Sequence, residues 1–286
     1  MFHQGRVRFG LRRTTTIAAL MLAVSLGACA SKKAGAPFST GSTEPITREA
    51  ALANAQGLND EYRKKPDDPA VALRFAESLK IIGSEAQAVA VLAAAAGKHT
   101  GNAKVVSAYG KSLMSVGRVT EAVEVLKRAE TLAPGDWRIA TALGLAHDQS
   151  DRHDVARSYY ARAAKAAPGE PSILNNWGLS FALDRDLPNA EKVLRKASGM
   201  RGAEPRIRQN LALVVGLQGR FEEAEKIARM DLPPAEAEEN IAYLRAMLAE
   251  PNAWNQLARI DAGKTGAPKA TGSTKPRLKA PATTGN

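Results

Sequence analysis

The sequence predicts an all-α fold, a right-handed superhelix (α-solenoid) of about five helix pairs with a capping helix at each end. Two observations predict it. Small residues recur with a period of 34 residues, and each period holds two stretches of helical length separated by a turn-forming or short polar residue. The chain of 286 residues is 44% hydrophobic and 24% charged, which is the composition of a globular protein and lets stacked repeats bury a continuous core.

The first 28 residues predict a lipoprotein signal peptide. A basic segment from Arg6 to Arg13 precedes a stretch of apolar and small residues from Ile17 to Ala28, which is too short to persist as a membrane-spanning helix. This stretch ends in Leu26-Gly27-Ala28-Cys29, which resembles the lipobox of bacterial lipoproteins. The resemblance implies that the thiol of Cys29 takes a covalent diacylglyceryl lipid and that the precursor is cut before it.

Cys29 is the only cysteine of the chain, which excludes an internal disulfide and any multi-cysteine metal or redox site. The alternative to lipidation is a buried structural cysteine that happens to follow a signal peptide. Ala30 comes next, and the absence of an aspartate there implies, by resemblance to lipoproteins, retention at the outer membrane on its periplasmic face. Residues 29–44 are small and polar and predict a flexible, lipidated tether.

Residues 45–65 predict a solitary amphipathic helix that caps the repeats. The repeat units are predicted at 69–102, 103–136, 137–170, 171–204 and 205–231. Two places in each unit are small, the eighth (Ala76, Gly110, Gly144, Gly178, Ala212) and the twentieth (Ala88, Ala122, Ala156, Ala190, Ala224). Small side chains there let two antiparallel helices approach closely, where a larger one would overpack the contact. The turn between the helices is marked by Gly83, Gly117, Asp151, Arg185 and Gly219.

This pattern resembles the tetratricopeptide repeat, and it predicts a repeat domain over residues 45–261. The pattern is lost after Ala224, and Leu232-Pro233-Pro234 breaks the chain. A C-terminal cap is predicted for residues 232–261, with a helix at about 235–249 and a shorter one at about 252–260. Residues 262–286 are rich in Gly, Pro, Ala, Thr and Lys and predict a disordered basic tail.

The net charge of +11 belongs to the two ends of the chain. Neither residues 1–33 nor residues 262–286 contain an acidic residue, and the region between them is formally neutral. The body therefore offers no electrostatic reason to bind nucleic acid. The sequence shows no phosphate-binding loop, zinc-protease motif or nucleophile elbow, so we expect no catalysis, no metal, no small-molecule substrate and no cofactor apart from the lipid on Cys29. His147 stands where the other units have apolar residues, which predicts a packed, hydrogen-bonded histidine.

A groove for a protein partner is predicted on the concave face, where places 2, 5, 6, 9 and 12 of each first helix point inwards. The side chains read into it are Arg74, Glu77, Lys104, Ser107, Lys111, Met114, Arg138, Thr141, Leu145, Asp148, Asn175, Asn176, Leu179, Arg206, Gln209, Asn210 and Leu213. The residues predicted to carry binding are Lys111, Arg138, Leu145, Asn175, Asn176, Leu179, Arg206, Gln209, Asn210 and Leu213.

Two sets of equivalent residues support the groove. Asn176 matches Asn210, and Asn175 matches Gln209; amides in such a ladder can bond both the N–H and the C=O of a bound backbone. The three leucines at the ninth place form an apolar stripe suited to an amphipathic helix or an extended segment. The alternative is that the amides brace neighbouring helices and the leucines are ordinary exposed residues.

The C-terminal half resembles the TadD family, the tetratricopeptide lipoproteins of the tight-adherence (Flp, or Tad) pilus system. The similar stretches are residues 175–183, 206–214, 216–221 and 231–248, the last reading DLPPAEAEENIAYLRAML. This last stretch interrupts the repeat pattern as it does in that family, and the lipobox agrees. Trp177 replaces the usual leucine, and the basic tail does not map onto the family.

The resemblance implies a non-enzymatic scaffold in pilus biogenesis and type II-like secretion. It implies a pilotin-type partner of the outer-membrane secretin and of other Tad pilus assembly components, anchored by its lipid. The alternative is a general periplasmic adaptor lipoprotein for envelope or peptidoglycan machinery.

Overall fold

The computed structural model of the chain describes residues 48–249. The predicted signal peptide, Cys29, the tether, the helix at 252–260 and the basic tail lie outside these residues. The described residues form twelve α-helices and no strand. The helices are α1 (Arg48–Lys64), α2 (Pro69–Ile81), α3 (Glu85–Lys98), α4 (Ala103–Ser115), α5 (Val119–Leu132), α6 (Trp137–Asp148), α7 (His153–Ala166), α8 (Pro171–Leu183), α9 (Leu187–Ser198), α10 (Pro205–Leu217), α11 (Phe221–Ala228) and α12 (Pro234–Ala249).

The helices pack as five consecutive pairs, which confirms the predicted all-α class. The pairs run from α2 with α3 to α10 with α11, α1 packs on α2, and α12 packs on α10 and α11. The backbones of the first helices of successive pairs also approach one another closely. The backbones of the second helices lie farther apart, and these helices meet through long side chains, as Arg162 on α7 meets Glu130 on α5. The first helices α2, α4, α6, α8 and α10 therefore line the inner, concave face of the stack.

The close approach within each pair depends on the small residues of the repeat. The alanines at the twentieth place are fully buried in all five pairs. A Cβ added to Gly110 would lie 2.7 Å from Leu126 Cγ, and one added to Gly178 would lie 2.7 Å from Leu194 Cγ. These separations are too short for a real contact, so in these two pairs a Cβ fits only if the facing leucine shifts.

The turn inside each pair uses the left-handed region of the backbone. The residue at this place has φ of 77° at Gly83, 75° at Gly117 and 81° at Gly219. The two units without glycine adopt the same conformation, with φ of 55° at Asp151 and 62° at Arg185. The geometry of the pair thus imposes this conformation whatever the residue, and glycine adopts it without steric cost.

We expect Gly117→Ala to lower the free energy of unfolding by about 1 kcal/mol, because alanine must hold a left-handed conformation there. Its methyl group would meet no atom within 4 Å, so the effect comes from the backbone alone. Gly101→Ala is the matched control, since it also has open space but lacks the positive φ. Urea denaturation of the two variants measures the difference, and equal midpoints would contradict the assignment.

The fifth pair is shortened, and α12 completes it. Helix α11 ends at Ala228, so Asp231 lies beyond the helix that the repeat would continue. Arg208 on α10 donates two hydrogen bonds to the carboxylate of Asp231, which ties the end of the pair back to its first helix. Helix α12 then buries Ile241 and Leu244, and Leu244 fills the space beside Gly216.

Candidate protein-binding groove

The N-terminal half of the concave face carries exposed cations. Lys104 and Lys111 on α4 and Arg138 on α6 are exposed, and Arg138 lies 4.4 Å from the ring centre of Trp137. None of the three forms an ion pair within residues 48–249, unlike Arg74, which pairs with Glu61. These cations are therefore free to meet an anionic group.

Lys111 is exposed, yet the protein around its ammonium group removes part of its water and lowers its pKa. Asp136 opposes this shift, while Lys80 and Arg138 add to it through repulsion between like charges. The ammonium group is thus incompletely solvated and has other cations close by.

The leucine stripe crosses the middle of the groove and its C-terminal half. Leu145 on α6 is 38% exposed, while Leu179 on α8 and Leu213 on α10 are partly buried. They stand at one place of three consecutive units, so they follow one another along the concave face. A row of partly exposed leucines on an inner surface is a surface that an apolar side chain can cover.

The asparagines form a short hydrogen-bonded chain between α8 and α10. Asn210 Nδ2 donates to Asn175 Oδ1 over 2.8 Å, and Asn175 Nδ2 donates to Asn176 Oδ1 over 3.3 Å. Asn175 is only 3% exposed, so it braces the two helices, as the alternative interpretation of these amides held. Asn210, which the repeat period makes equivalent to Asn176, thus bonds the residue before it, Asn175.

The two ends of this chain remain open towards the groove. Neither Asn176 Nδ2 nor Asn210 Oδ1 has a hydrogen-bond partner among residues 48–249, and both side chains are partly exposed. One end is a donor and the other is an acceptor. Such a pair can bond the C=O and the N–H of a bound backbone, while Asn175 between them holds both amides in orientation.

Two other predicted groove residues have different surroundings. Gln209 Nε2 lies 3.3 Å from the carbonyl oxygen of Ala228 and 3.4 Å from Asp231 Oδ2, so it satisfies the end of α11. Arg206 is exposed at the first turn of α10 and lies 3.6 Å from Glu204. Gln209 is therefore engaged within the protein, and Arg206 stands at the rim.

The sequence places Asp148 among the side chains that face the groove, but in the structure its side chain is buried. Its carboxylate accepts from Ser180 Oγ at 2.7 Å and from Tyr160 Oη at 2.8 Å, and His153 Nδ1 lies 2.9 Å away. The cluster joins α6, α7 and α8. Burial, and after it the nearby carboxylate, raises the pKa of Tyr160, so its hydroxyl stays protonated and donates.

The prediction for His147 is correct in its packing and wrong in its hydrogen bonding. The ring is 2% exposed and stacks on Tyr159 with 5.3 Å between ring centres. Its Nδ1 is buried without a hydrogen-bond partner in the described part of the chain. Burial, followed by the charge of Arg152, lowers the pKa of His147, which favours the neutral ring.

Residues 48–249 contain no group of three or more His, Cys, Asp or Glu residues placed to hold a metal ion. No helix within the same range is long and apolar enough to cross a bilayer.

Comparisons with known proteins agree with this architecture. Residues 107–171 match the family model described as "Tetratricopeptide repeat". This match covers the second half of α4 through to the start of α8, which includes Lys111, Arg138 and Leu145. A search of curated proteins found no match.

Among solved structures, two show the same kind of helix stack, and a third is more distantly similar. PilF of Pseudomonas aeruginosa is 19% identical over 68% of this chain and 97% of its own, with a TM-score of 0.50. A chain of the APC/C hetero-tetramer Cut9–Hcn1 is 15% identical over 68% of this chain and 40% of its own, with a TM-score of 0.54. MamA of Desulfovibrio magneticus is 17% identical over 64% of this chain and 97% of its own, with a TM-score of 0.46. The fold is thus a tetratricopeptide-repeat solenoid, which is typically a scaffold for protein interactions.

Proposed function

We propose that this chain is a non-enzymatic scaffold that holds a protein segment in its concave groove during Flp (Tad) pilus assembly and type II-like secretion. In this proposal a lipid on Cys29 fixes it to the periplasmic face of the outer membrane. Its partner is the secretin, towards which it acts as a pilotin, together with other Tad assembly components. It has no small-molecule substrate, nucleic-acid partner or cofactor apart from the lipid.

The observation that carries the binding function is the open donor and acceptor at the two ends of the asparagine chain. A polar group that faces a partly enclosed groove and lacks a partner gains a hydrogen bond only when a ligand supplies one or water remains there. Asn176 Nδ2 can donate to a backbone carbonyl, and Asn210 Oδ1 can accept from a backbone N–H. Leu179 and Leu213, one turn along the same helices, supply apolar contact beside them.

The resemblance of residues 231–248 to the TadD family supports the assignment to pili. Within this segment, α12 seals the last pair through Ile241 and Leu244, so its sequence has a structural role here as well. Tethering supports the mechanism, because a lipid anchor holds the groove near a membrane-embedded partner and raises its effective concentration. A modest intrinsic affinity is then sufficient.

Asn176→Ala is the variant that tests the groove. Asn176 is partly exposed and accepts only the 3.3 Å bond from Asn175, so its loss should leave the fold intact. We expect it to weaken partner binding by about 1–1.5 kcal/mol, or roughly tenfold, because a bound carbonyl loses its donor. The measurement is co-purification from detergent-solubilised outer membrane, with the captured proteins identified by mass spectrometry.

Gln87→Ala is the matched control, because it removes an exposed amide from a second helix, α3, on the opposite side of the stack. Asn210→Ala is a poorer test, since it also takes the donor from buried Asn175 Oδ1 and lowers stability. Capture of the secretin by the wild type and the control, but less by Asn176→Ala, supports the proposal. Capture of wall synthases in its place would favour the general envelope adaptor.

A separate prediction concerns the anchor. Cys29→Ser keeps the export signal but removes the sulfur nucleophile that takes the lipid. We expect loss of acylation, accumulation of unprocessed precursor and loss of pilus assembly, because a single unlipidated tether has no stable hold on the bilayer. Metabolic labelling with a radioactive fatty acid measures this directly, and a labelled Cys29→Ser protein would contradict the lipid assignment.

A further inference from the structure

We infer that the partner segment is acidic at one end, and that this end lies over α4 and α6 while the rest of the segment lies over α8 and α10. The inference rests on the proposed function, because it names the chemistry of the segment that the groove holds. It assigns the two halves of the groove different tasks. The cationic half, on α4 and α6, selects the partner by charge. The half with the amides and leucines, on α8 and α10, binds the backbone and the apolar side chains of the partner.

The first support is the set of uncommitted charges. Lys104, Lys111 and Arg138 are exposed and have no ion-pair partner within the described residues. Other exposed cations do have partners, as Arg118 has in Glu121 on the adjacent helix. Three unpaired cations on two neighbouring first helices create a local positive field that an anionic partner would neutralise.

The second support is that the acidic residues beside Lys111, and Asp148 near the end of α6, are already engaged. Glu77 pairs with Lys80. Asp136 accepts from the backbone N–H of Arg138 at 2.8 Å and caps the start of α6. Asp148 is buried and bonded to side chains on α7 and α8. The acidic groups are held in place by other partners, so the cations keep their capacity for an incoming carboxylate.

The third support is the partial desolvation of Lys111. A cation that has lost part of its water, with Lys80 and Arg138 nearby, gains more from a carboxylate than a fully hydrated surface lysine does. Its lowered pKa reports this environment. An anion bound there would raise that pKa again and draw the lysine into a charge-assisted hydrogen bond.

The spacing fits a protein segment. Lys104 and Lys111 are two turns apart on α4, or about 10 Å, and Arg138 stands one unit from Lys104 at about the same distance. Carboxylates about three residues apart in an extended chain match this separation. The unpaired cations end at α6, since Arg206 at the equivalent place on α10 lies 3.6 Å from Glu204. The groove continues with amides and leucines, which suits a peptide and gives a polyanion no continuous track.

The test uses the mature lipoprotein in neutral detergent and two fluorescent 12-residue peptides. Both carry leucine at positions 8 and 11 in a serine and alanine background; one has glutamate at positions 1, 2, 4 and 5, and the other has glutamine there. Fluorescence anisotropy at low salt gives both affinities. We expect the glutamate peptide to bind at least tenfold more tightly, with the preference shrinking as salt rises.

Two matched sets of variants locate the effect. Lys104→Glu, Lys111→Glu and Arg138→Glu together should abolish the preference, and the corresponding glutamine triple should reduce it without adding acid. Lys165→Glu, Lys192→Glu and Lys226→Glu make the same charge change at exposed positions of second helices and should keep the preference within twofold. All of these proteins keep the basic tail, so attraction of the peptide to the tail cancels in the comparison.

Equal affinity for the two peptides, equal loss in both reversed sets, or no binding of either peptide would overturn the acidic-segment inference. The groove function is judged separately. If the glutamine peptide binds as well as the glutamate peptide and Asn176→Ala weakens both, the groove binds segments without charge selection. If the wild type and Asn176→Ala capture the same outer-membrane proteins, or neither captures any, the proposed function is wrong.

Discussion

Asp148→Ala is expected to lower the free energy of unfolding by about 3–5 kcal/mol. The carboxylate is 8% exposed and is the shared acceptor for side chains from two other helices. Its loss leaves the hydroxyls of Tyr160 and Ser180 without their acceptor, and both of those residues are fully buried. Each buried polar group left unsatisfied costs about 1–3 kcal/mol.

Two further variants separate the contributions. Tyr160→Phe removes only one of the donors to Asp148 and leaves the carboxylate in place, so we expect a smaller loss of about 1–2 kcal/mol. Asp154→Ala is the matched control, because Asp154 is an exposed aspartate in the first turn of α7 and contributes a few tenths of a kcal/mol at most. Chemical denaturation followed by circular dichroism measures all three. An Asp148→Ala protein as stable as the control would show that water replaces the carboxylate in this cluster.

The position of Asp148 shows which structural features the repeat register predicts and which it does not. The period of 34 residues predicts which residues stand at equivalent places, and hence the helix pairs, their turns and the small contacts. It does not predict burial of one polar side chain, because that depends on what packs against it. The signal was present in the same unit: Tyr160 stands where Leu92, Leu126 and Leu194 stand in others, and a buried tyrosine hydroxyl requires a partner.

The asparagines show a second feature that the repeat register does not predict, the choice of hydrogen-bond partner between neighbouring units. The register aligns Asn176 with Asn210, yet the structure bonds Asn210 to Asn175. Adjacent helical residues point about 100° apart, so a small rotation of one unit against the next decides which of two neighbouring amides meets the following helix. Sequence periodicity gives no such rotation. The leucine stripe does not depend on it in the same way, because its contacts are not directional.

The cationic half of the groove was predictable from charge and register, with Lys104 included among the inward places. The repeat register does not show which of the charged side chains lack an ion-pair partner. Glu77 and Asp148 occupy inward places too, and only the structure shows that one is paired and the other buried. The selectivity of a groove depends on charged side chains that have no partner within the protein. Which side chains these are is decided by the packing of the folded chain.

Gly144→Ala is the second substitution for which we expect a large effect, a net loss of about 2–3 kcal/mol. An added Cβ would lie 2.6 Å from Cε1 and 2.8 Å from Cζ of Tyr160. The ring cannot move aside easily, because its hydroxyl is held 2.8 Å from Asp148 and the residue is fully buried. The steric conflict therefore outweighs the gain of up to about 1 kcal/mol that alanine brings to a helix interior.

Gly178→Ala provides the comparison, since its added Cβ would meet Leu194 Cγ at 2.7 Å in the equivalent place of the next unit. Leucine can change rotamer and is held by no hydrogen bond, so we expect a loss of about 1 kcal/mol. The double variant Gly144→Ala with Tyr160→Phe tests the cause, because the freed ring can then shift. We expect the two changes to be non-additive by at least about 0.5 kcal/mol, with the double variant more stable than the sum of the single losses predicts. Strict additivity would mean that packing around the ring, and not its bond to Asp148, fixes Tyr160 against Gly144.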